Sequence, residues 1–266
     1  MINGREKRTM KTKTVFAASL LLAGAAFAAA TTVDSSYVLG VMPLQVSGKE
    51  VIINIPWIES GKLDNAVAVS NLVKTAGLAV GDSLLWYDTS SRGYQGWHIE
   101  SDNGINRWVA STTVNMSGES KTVSAGSVEL RRGQALILSR SSNDPTTIYI
   151  IGQDGTGVET STVTISAGTT SNPSYTLFAP PSVSGQGVND MTWNISDASS
   201  VANDYILLSD GSQLRWRKAT SESASYSWIK YSYGENGALT KDTSPSIPAG
   251  TGAWYVSKGG APTITF

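Results

Sequence analysis

The chain contains no cysteine and only one histidine. Without thiols it forms no disulfide, has no thiolate metal site and no cysteine nucleophile, and carries no lipid on an N-terminal cysteine. The single histidine, His98, is too little for a multi-histidine metal site. Stability must therefore come from packing, and no cofactor and no metal are expected.

Charged residues are also few, at 15% of the chain. Removing residues 1–30 takes away five basic residues and one acidic residue, so the remaining chain has a formal net charge of −5. An acidic chain without basic clusters argues against nucleic acid and anionic membranes as partners. After residue 30 no apolar segment is long enough to span a bilayer.

The first 30 residues have the pattern of a secretory signal peptide. Lys11 and Lys13 precede the apolar run 15–27, which ends in the small-residue string Ala28-Ala29-Ala30. A basic start, a short apolar core and a small-residue exit define such a signal. Met10 is an alternative translation start, because a normal basic region follows it directly. The sequence therefore predicts an exported protein, located outside the cell, at the cell surface or in the periplasm.

The rest of the chain alternates short β-branched or aromatic runs with Gly, Ser and Thr turn signals, which is the pattern of an all-β protein. One helix is predicted as well, capped by Asp64 or Asn65 and ended by Gly77. The predicted strands are 51–55, 83–87, 96–100, 135–139, 146–151, 177–179, 213–217, 225–231 and 253–257.

The two halves of the mature chain share features in the same order, which indicates an internal duplication. In both halves an apolar strand is stopped by proline, which cannot donate a hydrogen bond to a ladder. The sequence therefore predicts two tandem, similar β-sandwich or barrel-like domains, at 31–155 and 156–266. The matched residues are Pro56 with Pro180, Trp86 with Trp216, Tyr94 and Trp97 with Tyr226 and Trp228, and Gly133 with Gly250.

The segment Gly81-Asp82-Ser83-Leu84 has the four letters that name the GDSL esterases. In that family the serine lies at a strand-to-helix turn, and a late Asp-x-x-His supplies the base. Here Ser83 leads into an apolar strand, His98 follows soon after it, and Gln95 stands where the aspartate is expected. A serine hydroxyl needs an adjacent base to become nucleophilic. A turn before a strand explains the segment better, so no catalytic residue is predicted.

Acidic side chains are scattered through the predicted loops. A glycoside hydrolase needs two carboxylates facing one cleft, and the sequence selects no such pair. The repeated acidic spacing of a calcium-binding loop is also missing.

Aromatic residues are the remaining binding candidates. Trp97 and Trp228 occupy matched positions, and Tyr94 and Tyr226 precede them by three and two residues. Exposed flat rings can stack on a sugar or a partner protein. These four residues are therefore the predicted binding residues, the alternative being that both tryptophans fill the ends of their β-domains. Trp86 and Trp216 are predicted to be core residues.

Several of the repeated features resemble a group of uncharacterised exported bacterial proteins. Their units open with a strand like "NLISLP", carry a Gly-Trp pair and close with "L-x-P-G-x-G-F-W". The corresponding segments in this chain are Ile52-Ile53-Asn54-Ile55-Pro56, Gly96-Trp97 and Ile247-Pro248-Ala249-Gly250-Thr251-Gly252-Ala253-Trp254. The resemblance implies an exported β-rich protein and brings no catalytic residues with it.

Together these features predict a non-enzymatic, cell-surface or secreted protein with a structural or adhesive role. A carbohydrate-binding module using exposed Trp and Tyr is the first alternative. A glycoside hydrolase with an unidentified carboxylate pair is the second. The predicted partners are a glycan or other surface proteins.

Overall fold

The described residues form antiparallel β-strands, which confirms the all-β prediction. The computed structural model describes residues 39–55, 61–63, 69, 72–89, 91–111, 113–116, 119–122, 128–130, 133–153, 162–182, 184–218, 220–221, 223, 225–233 and 238–266. The predicted signal peptide 1–30, Pro56 and residues 64–68, 70 and 71 of the predicted helix lie outside the described residues. Val69 and Leu72 are helical, but Val73 pairs with Ile150, so the predicted helix does not continue to Gly77. The described residues all belong to one compact unit, Val38–Phe266.

The strands of both halves are short, as expected from the frequent turn residues. Those of the first half are β1 (Leu39–Val46), β2 (Glu50–Asn54), β3 (Gly61–Leu63), β4 (Ser83–Asp88), β5 (Gly93–Asp102), β6 (Ile105–Ala110), β7 (Thr113–Met116), β8 (Glu119–Thr122), β9 (Val128–Leu130), β10 (Ala135–Ser139) and β11 (Thr146–Gln153). Those of the second half are β12 (Thr162–Thr164), β13 (Ser174–Phe178), β14 (Gln186–Gly187), β15 (Thr192–Asn194), β16 (Tyr205–Leu208), β17 (Gln213–Lys218), β18 (Tyr226–Tyr233), β19 (Leu239–Asp242), β20 (Ser246–Ile247), β21 (Ala253–Ser257) and β22 (Thr263–Thr265). A 3₁₀ turn at Val188–Asp190 precedes β15.

The first half is a two-layer β-sandwich. A five-stranded sheet with the order β2-β10-β4-β5-β6, which we call the first sheet, packs against the β1–β11 pair. Alternate residues of each strand point to opposite faces, so one face of the first sheet meets the inner face of that pair. The buried side chains between them include Met42, Leu44, Ile53, Leu84, Trp97, Ile99, Trp108, Leu136, Leu138, Ile148 and Ile150.

The second half repeats this arrangement. A six-stranded sheet with the order β13-β21-β16-β17-β18-β19, which we call the second sheet, packs against the three-stranded sheet β12-β22-β15. The buried side chains between the layers include Val163, Ile165, Phe178, Ile206, Leu208, Leu214, Trp228, Tyr255 and Ile264. The small pairs β3–β9, β7–β8 and β14–β20 lie outside the two main sheets.

The two main sheets have the same strand order, with β2, β10, β4, β5 and β6 corresponding to β13, β21, β16, β17 and β18. This order corrects two of the matches made from sequence. Trp86 lies on β4 but Trp216 on β17, and Trp97 lies on β5 but Trp228 on β18. If Leu84 on β4 is aligned with Ile206 on β16, the strand registers match Trp97 with Leu214 on the next strand. On the strand after that, they match Trp108 with Trp228.

The correspondence also shows a pair of buried aspartates that the sequence comparison missed. Asp82 and Asp204 each stand one residue before the matching strands β4 and β16. Asp82 accepts hydrogen bonds from the backbone N–H groups of Ala79 (2.9 Å) and Ser141 (2.8 Å). Asp204 accepts from the backbone N–H of Lys258 (2.6 Å) and from the Tyr255 hydroxyl (2.9 Å). In both halves a carboxylate therefore ties the start of one strand to the end of its neighbour.

The two halves join through reciprocal contacts at two glycines. The Asn54 N–H donates to the carbonyl of Gly250 at 2.9 Å, and the Ala179 N–H donates to the carbonyl of Gly133 at 2.8 Å. Both glycines have positive φ, 89° at Gly133 and 72° at Gly250, a conformation that costs other residues free energy. A Cβ on Gly250 would overlap a methyl of Leu44 in the first half. These matched positions therefore require glycine for both backbone conformation and close packing.

Candidate functional site

The two tryptophans predicted to bind a ligand lie inside the cores. Trp97 is 2% exposed and Trp228 is 0% exposed. Each ring points to the inner face of its sheet, because that face carries the largest apolar side chains of the strand. Neither ring therefore has a free face for a sugar, and both fill the core as the alternative interpretation states. Trp86 and Trp216 are half-buried and pack at the edges of the two cores.

The two predicted tyrosines lie at the surface, in two different places. Tyr94 is half-buried on the outer face of the first sheet, opposite Tyr87 on the neighbouring strand. Tyr226 is 42% exposed, at the start of β18. Each belongs to a separate group of side chains that could serve in recognition.

Tyr94 begins a line of rings that crosses from the first sheet to the second. The Tyr94 and Tyr87 ring centroids are 5.1 Å apart, those of Tyr87 and Trp254 5.0 Å, and those of Trp254 and Tyr175 6.3 Å. Tyr175 and Tyr205 are both register partners of Val256 and flank it on the same face. We call Tyr87, Tyr94, Tyr175, Tyr205 and Trp254 the outer aromatic strip.

The strip has a packed base and an accessible top. Beneath Tyr87, Tyr94 and Trp254 the two halves pack aliphatic side chains against each other: Ile52, Leu85, Ala135 and Ile137 from the first, Leu177 and Ala179 from the second. Tyr175 remains 40% exposed, and the other four rings are half-buried. Because Tyr87, Tyr94 and Trp254 pack against this cluster, their rings are preorganised.

The phenol groups of Tyr87, Tyr94 and Tyr205 remain protonated at neutral pH. Burial is the main cause that raises the pKa of Tyr94 to about 12, and the nearby Tyr87 and Glu50 raise it further. Burial likewise raises the pKa of Tyr87 and of Tyr205. Each hydroxyl can therefore donate as well as accept a hydrogen bond, which suits it to polar groups at the edge of a stacked ring.

Cations accompany the rings on the second sheet. The guanidinium carbon of Arg215 lies 4.5 Å from the centroid of the Tyr205 ring, and Lys258 Nζ lies 5.3 Å from the same centroid. Lys241 Nζ lies 6.0 Å from the centroid of Tyr231. These distances are within the range of a cation–π contact. The outer face of the second sheet is therefore both aromatic and basic.

Tyr226 lines a second feature, a cleft beside the β17–β18 hairpin with a volume of about 300 Å³. We call it the cationic cleft; its lining residues are Arg217, Lys218, Thr220, Ser221, Tyr226, Tyr231 and Lys241. Lys218 Nζ lies 5.6 Å from the centroid of the Tyr226 ring. No carboxylate lines the cleft within the described part of the chain.

The structure places Ser83 and His98 directly opposite each other on β4 and β5. His98 Nε2 lies 3.0 Å from Glu100 Oε1. Ser83, His98 and Glu100 are thus the three residue types that a serine hydrolase uses: a serine, a histidine and a carboxylate. Ser83, however, is only 2% exposed, and its hydroxyl donates to the carbonyl of Gly81 at 3.2 Å. A nucleophile must be reachable by its substrate, so this trio does not form an accessible catalytic site.

The two buried carboxylates, Asp82 and Asp204, already accept hydrogen bonds from the backbone. Within the described ranges, no group of three or more His, Asp or Glu side chains is placed to hold a metal ion. The same ranges contain no helix that is long and apolar enough to cross a membrane.

Comparison with known proteins gives no relative: no protein-family model, no curated protein and no solved structure matches this chain.

Sequence reasoning missed Tyr87, Tyr175, Tyr205 and Trp254 as members of one surface. Pattern analysis could have found part of the signal, because Tyr175 and Leu177 alternate along one strand and so share a face. The alignment of Tyr87 with Trp254 depends on how the two halves pack together, and no local pattern records that packing.

Proposed function

We propose that this chain is an exported, non-enzymatic adhesive protein that binds a polysaccharide through the outer aromatic strip. The observation that carries the proposal is the unbroken series of rings from Tyr94 to Tyr175, with neighbouring centroids 5.0–6.3 Å apart. Sugar rings present apolar C–H faces that stack on aromatic rings, and their hydroxyls bond to polar groups at the ring edges. A surface several rings long suits a polymer better than a single sugar.

The position of the strip supports an adhesive role. It crosses the junction between the two halves, so a bound chain would contact both halves of one compact unit. Duplication of an ancestral β-unit, which we propose from the common strand order, would have created this junction. The proposed export of the protein, based on residues 1–30, would bring the strip to extracellular or cell-surface polymers.

The test is affinity electrophoresis of the chain without its signal peptide in gels that contain one soluble polysaccharide each. Suitable polymers are hydroxyethylcellulose, dextran, polygalacturonate and dextran sulfate. The variants are Tyr175→Ala and Tyr205→Ala, and the matched control is Tyr149→Ala. Tyr149 is 39% exposed against 40% for Tyr175, but it lies on β11, outside the strip.

We expect at least one polymer to retard the wild-type protein, and each strip variant to weaken that binding by about tenfold or more. Tyr149→Ala is expected to bind like the wild type. Retardation that all three variants retain would contradict the strip as the binding surface. The absence of binding to every polymer would contradict glycan recognition and favour a purely structural role.

A further inference from the structure

Part of the cationic cleft, Tyr231 and Lys241, lies on the same face of the second sheet as Trp254 of the strip. Trp254, Leu207, Gln213, Tyr231 and Lys241 are successive register partners across β21, β16, β17, β18 and β19. Directly opposite residues of neighbouring strands share a face. Three strand spacings separate Trp254 from Tyr231, a distance of about 14 Å. A chain of a few sugars that lies on the strip would therefore reach Tyr231 and Lys241, the part of the cleft nearest to the strip.

No carboxylate of the described residues pairs with the two lysines of the cleft. Within the described part of the chain, neither Lys218 nor Lys241 forms an ion pair, and each ammonium lies instead near a tyrosine ring. Lys230 on the same hairpin differs, because its Nζ pairs with Asp210 at 2.8 Å. Cations that converge without a carboxylate raise the local positive potential, which attracts an anionic group.

The third cation is fixed in place. Arg217 Nη1 donates to the carbonyls of Ala202 (2.6 Å) and Trp216 (2.9 Å). These two bonds use the two hydrogens of Nη1 and leave the N–H groups of Nη2 and Nε as donors. A guanidinium that is already anchored loses little conformational entropy when it binds an oxyanion, and its planar fork suits a carboxylate or a sulfate.

We propose that the cationic cleft binds the acidic group of a polysaccharide, a carboxylate or sulfate borne by a sugar ring, so that the protein prefers anionic over neutral polymers. Arg217, Lys218 and Lys241 contact the oxyanion, and the exposed ring of Tyr226 packs against the sugar that carries it. The volume of about 300 Å³ lies at the lower end of the range for small-ligand sites. This inference rests on the proposed function, because it names the class of polymer that the strip binds.

The test compares binding of the same protein to polygalacturonate, which carries carboxylates, to dextran sulfate, and to neutral dextran and hydroxyethylcellulose. The variants are Lys218→Gln, Lys241→Gln and the double variant. The matched control is Lys230→Gln, which removes the same charge from β18 but lies outside the cleft. Lys218 and Lys241 are exposed, so we expect all variants to fold, and their melting temperatures check this.

We expect the double variant to bind the acidic polymer at least about tenfold more weakly, and Lys230→Gln to stay within about twofold of the wild type. Raising the salt concentration should reduce wild-type binding more than binding of the double variant. A response to only one of the two acidic polymers would identify the anion as carboxylate or sulfate, and both outcomes support the proposal.

Three results would overturn this inference. The first is that Lys230→Gln loses as much affinity for the acidic polymer as the cleft variants do. The second is that the wild type binds neutral and acidic polymers equally, and the third is that it binds only neutral polymers. The last two would leave the proposed function intact if Tyr175→Ala and Tyr205→Ala still abolish binding. No binding to any of the four polymers would overturn both proposals.

Discussion

The two halves of the molecule share a strand order but present different surfaces. On the outer face of the first sheet, Ser139, Ser83 and His98 are successive register partners, and the neighbouring aliphatic side chains are covered by the second half. On the outer face of the second sheet, the corresponding row contains Tyr205 and Arg215. The second sheet also has β19 as an extra edge strand, which contributes Lys241 to the cleft. The comparison shows that the shared strand order supplies both cores, whereas most of the proposed recognition surface belongs to the second half.

The largest expected effect concerns the matched tryptophans Trp108 and Trp228, which are both 0% exposed. We expect Trp108→Ala and Trp228→Ala each to reduce the free energy of unfolding by about 3–5 kcal/mol, because each change leaves a large cavity. Truncation of the half-buried Trp86 or Trp216 to alanine should reduce the free energy of unfolding by less. Urea unfolding measures all four variants. A loss below about 1 kcal/mol in Trp228→Ala would place that ring at the surface and contradict the pairing of β18 with β17 in the second sheet.

The same pair shows how much of this fold could be predicted from sequence. Nine predicted strands all overlap strands of the structure, because alternation and turn residues are local signals. The strand Tyr205–Leu208 was missed, and its omission shifted the matching of the two halves by one strand. Asp82 and Asp204, each followed by an apolar run, were the sequence signal that could have corrected it.

The site was less predictable than the fold. Tyr94 and Tyr226 were named from sequence and do line the surface, yet the tryptophans beside them are buried. In a strand the pattern shows which residues share a face, but it does not show which of two apolar faces becomes the core. The outer aromatic strip needs residues from both halves, and the cleft needs three different strands, so neither is recorded in a local pattern.

A smaller difference in the free energy of unfolding is expected between alanine variants of the two buried aspartates. Asp204 binds the buried Tyr255 hydroxyl, whereas the partners of Asp82 include Ser141, which is exposed and can turn to water. We expect Asp204→Ala to cost about 2–4 kcal/mol and Asp82→Ala about 1–2 kcal/mol, because buried donors left unpaired lose the most. Equal losses of unfolding free energy, measured by denaturant unfolding, would contradict this and show that the two carboxylates contribute equally to stability. Tyr255→Phe, which removes one donor to Asp204, serves as the intermediate variant.

The smallest effect is expected from the Lys230–Asp210 pair on the second sheet. Partial burial opposes ionisation of Asp210, but hydrogen bonds from Lys230 and Ser212 outweigh it and lower the pKa of that carboxyl to about 2. Because the pKa in the folded state is below the ordinary value of 3.8, the pair stabilises the fold above about pH 4 and loses this effect as the pH falls towards 2.

Both side chains of the pair are partly exposed, so Lys230→Gln should cost at most about 1 kcal/mol at neutral pH. The difference in unfolding free energy between wild type and Lys230→Gln should shrink on acidification from pH 5 to about pH 2. A difference that grows on acidification would contradict the assigned direction of the pKa shift. A large loss at neutral pH would also disqualify this variant as the control for the cleft.

The central claim, that the outer aromatic strip and the cationic cleft form one recognition surface, is tested most directly by hydroxyl-radical footprinting during titration with the polysaccharide that retards the protein. The account predicts that Tyr175, Tyr205 and Tyr226 become protected as the polymer binds, whereas Tyr149, which has nearly the same exposure as Tyr175, keeps its oxidation rate. Protection of Tyr149 with unchanged oxidation of Tyr175 and Tyr205 would contradict it.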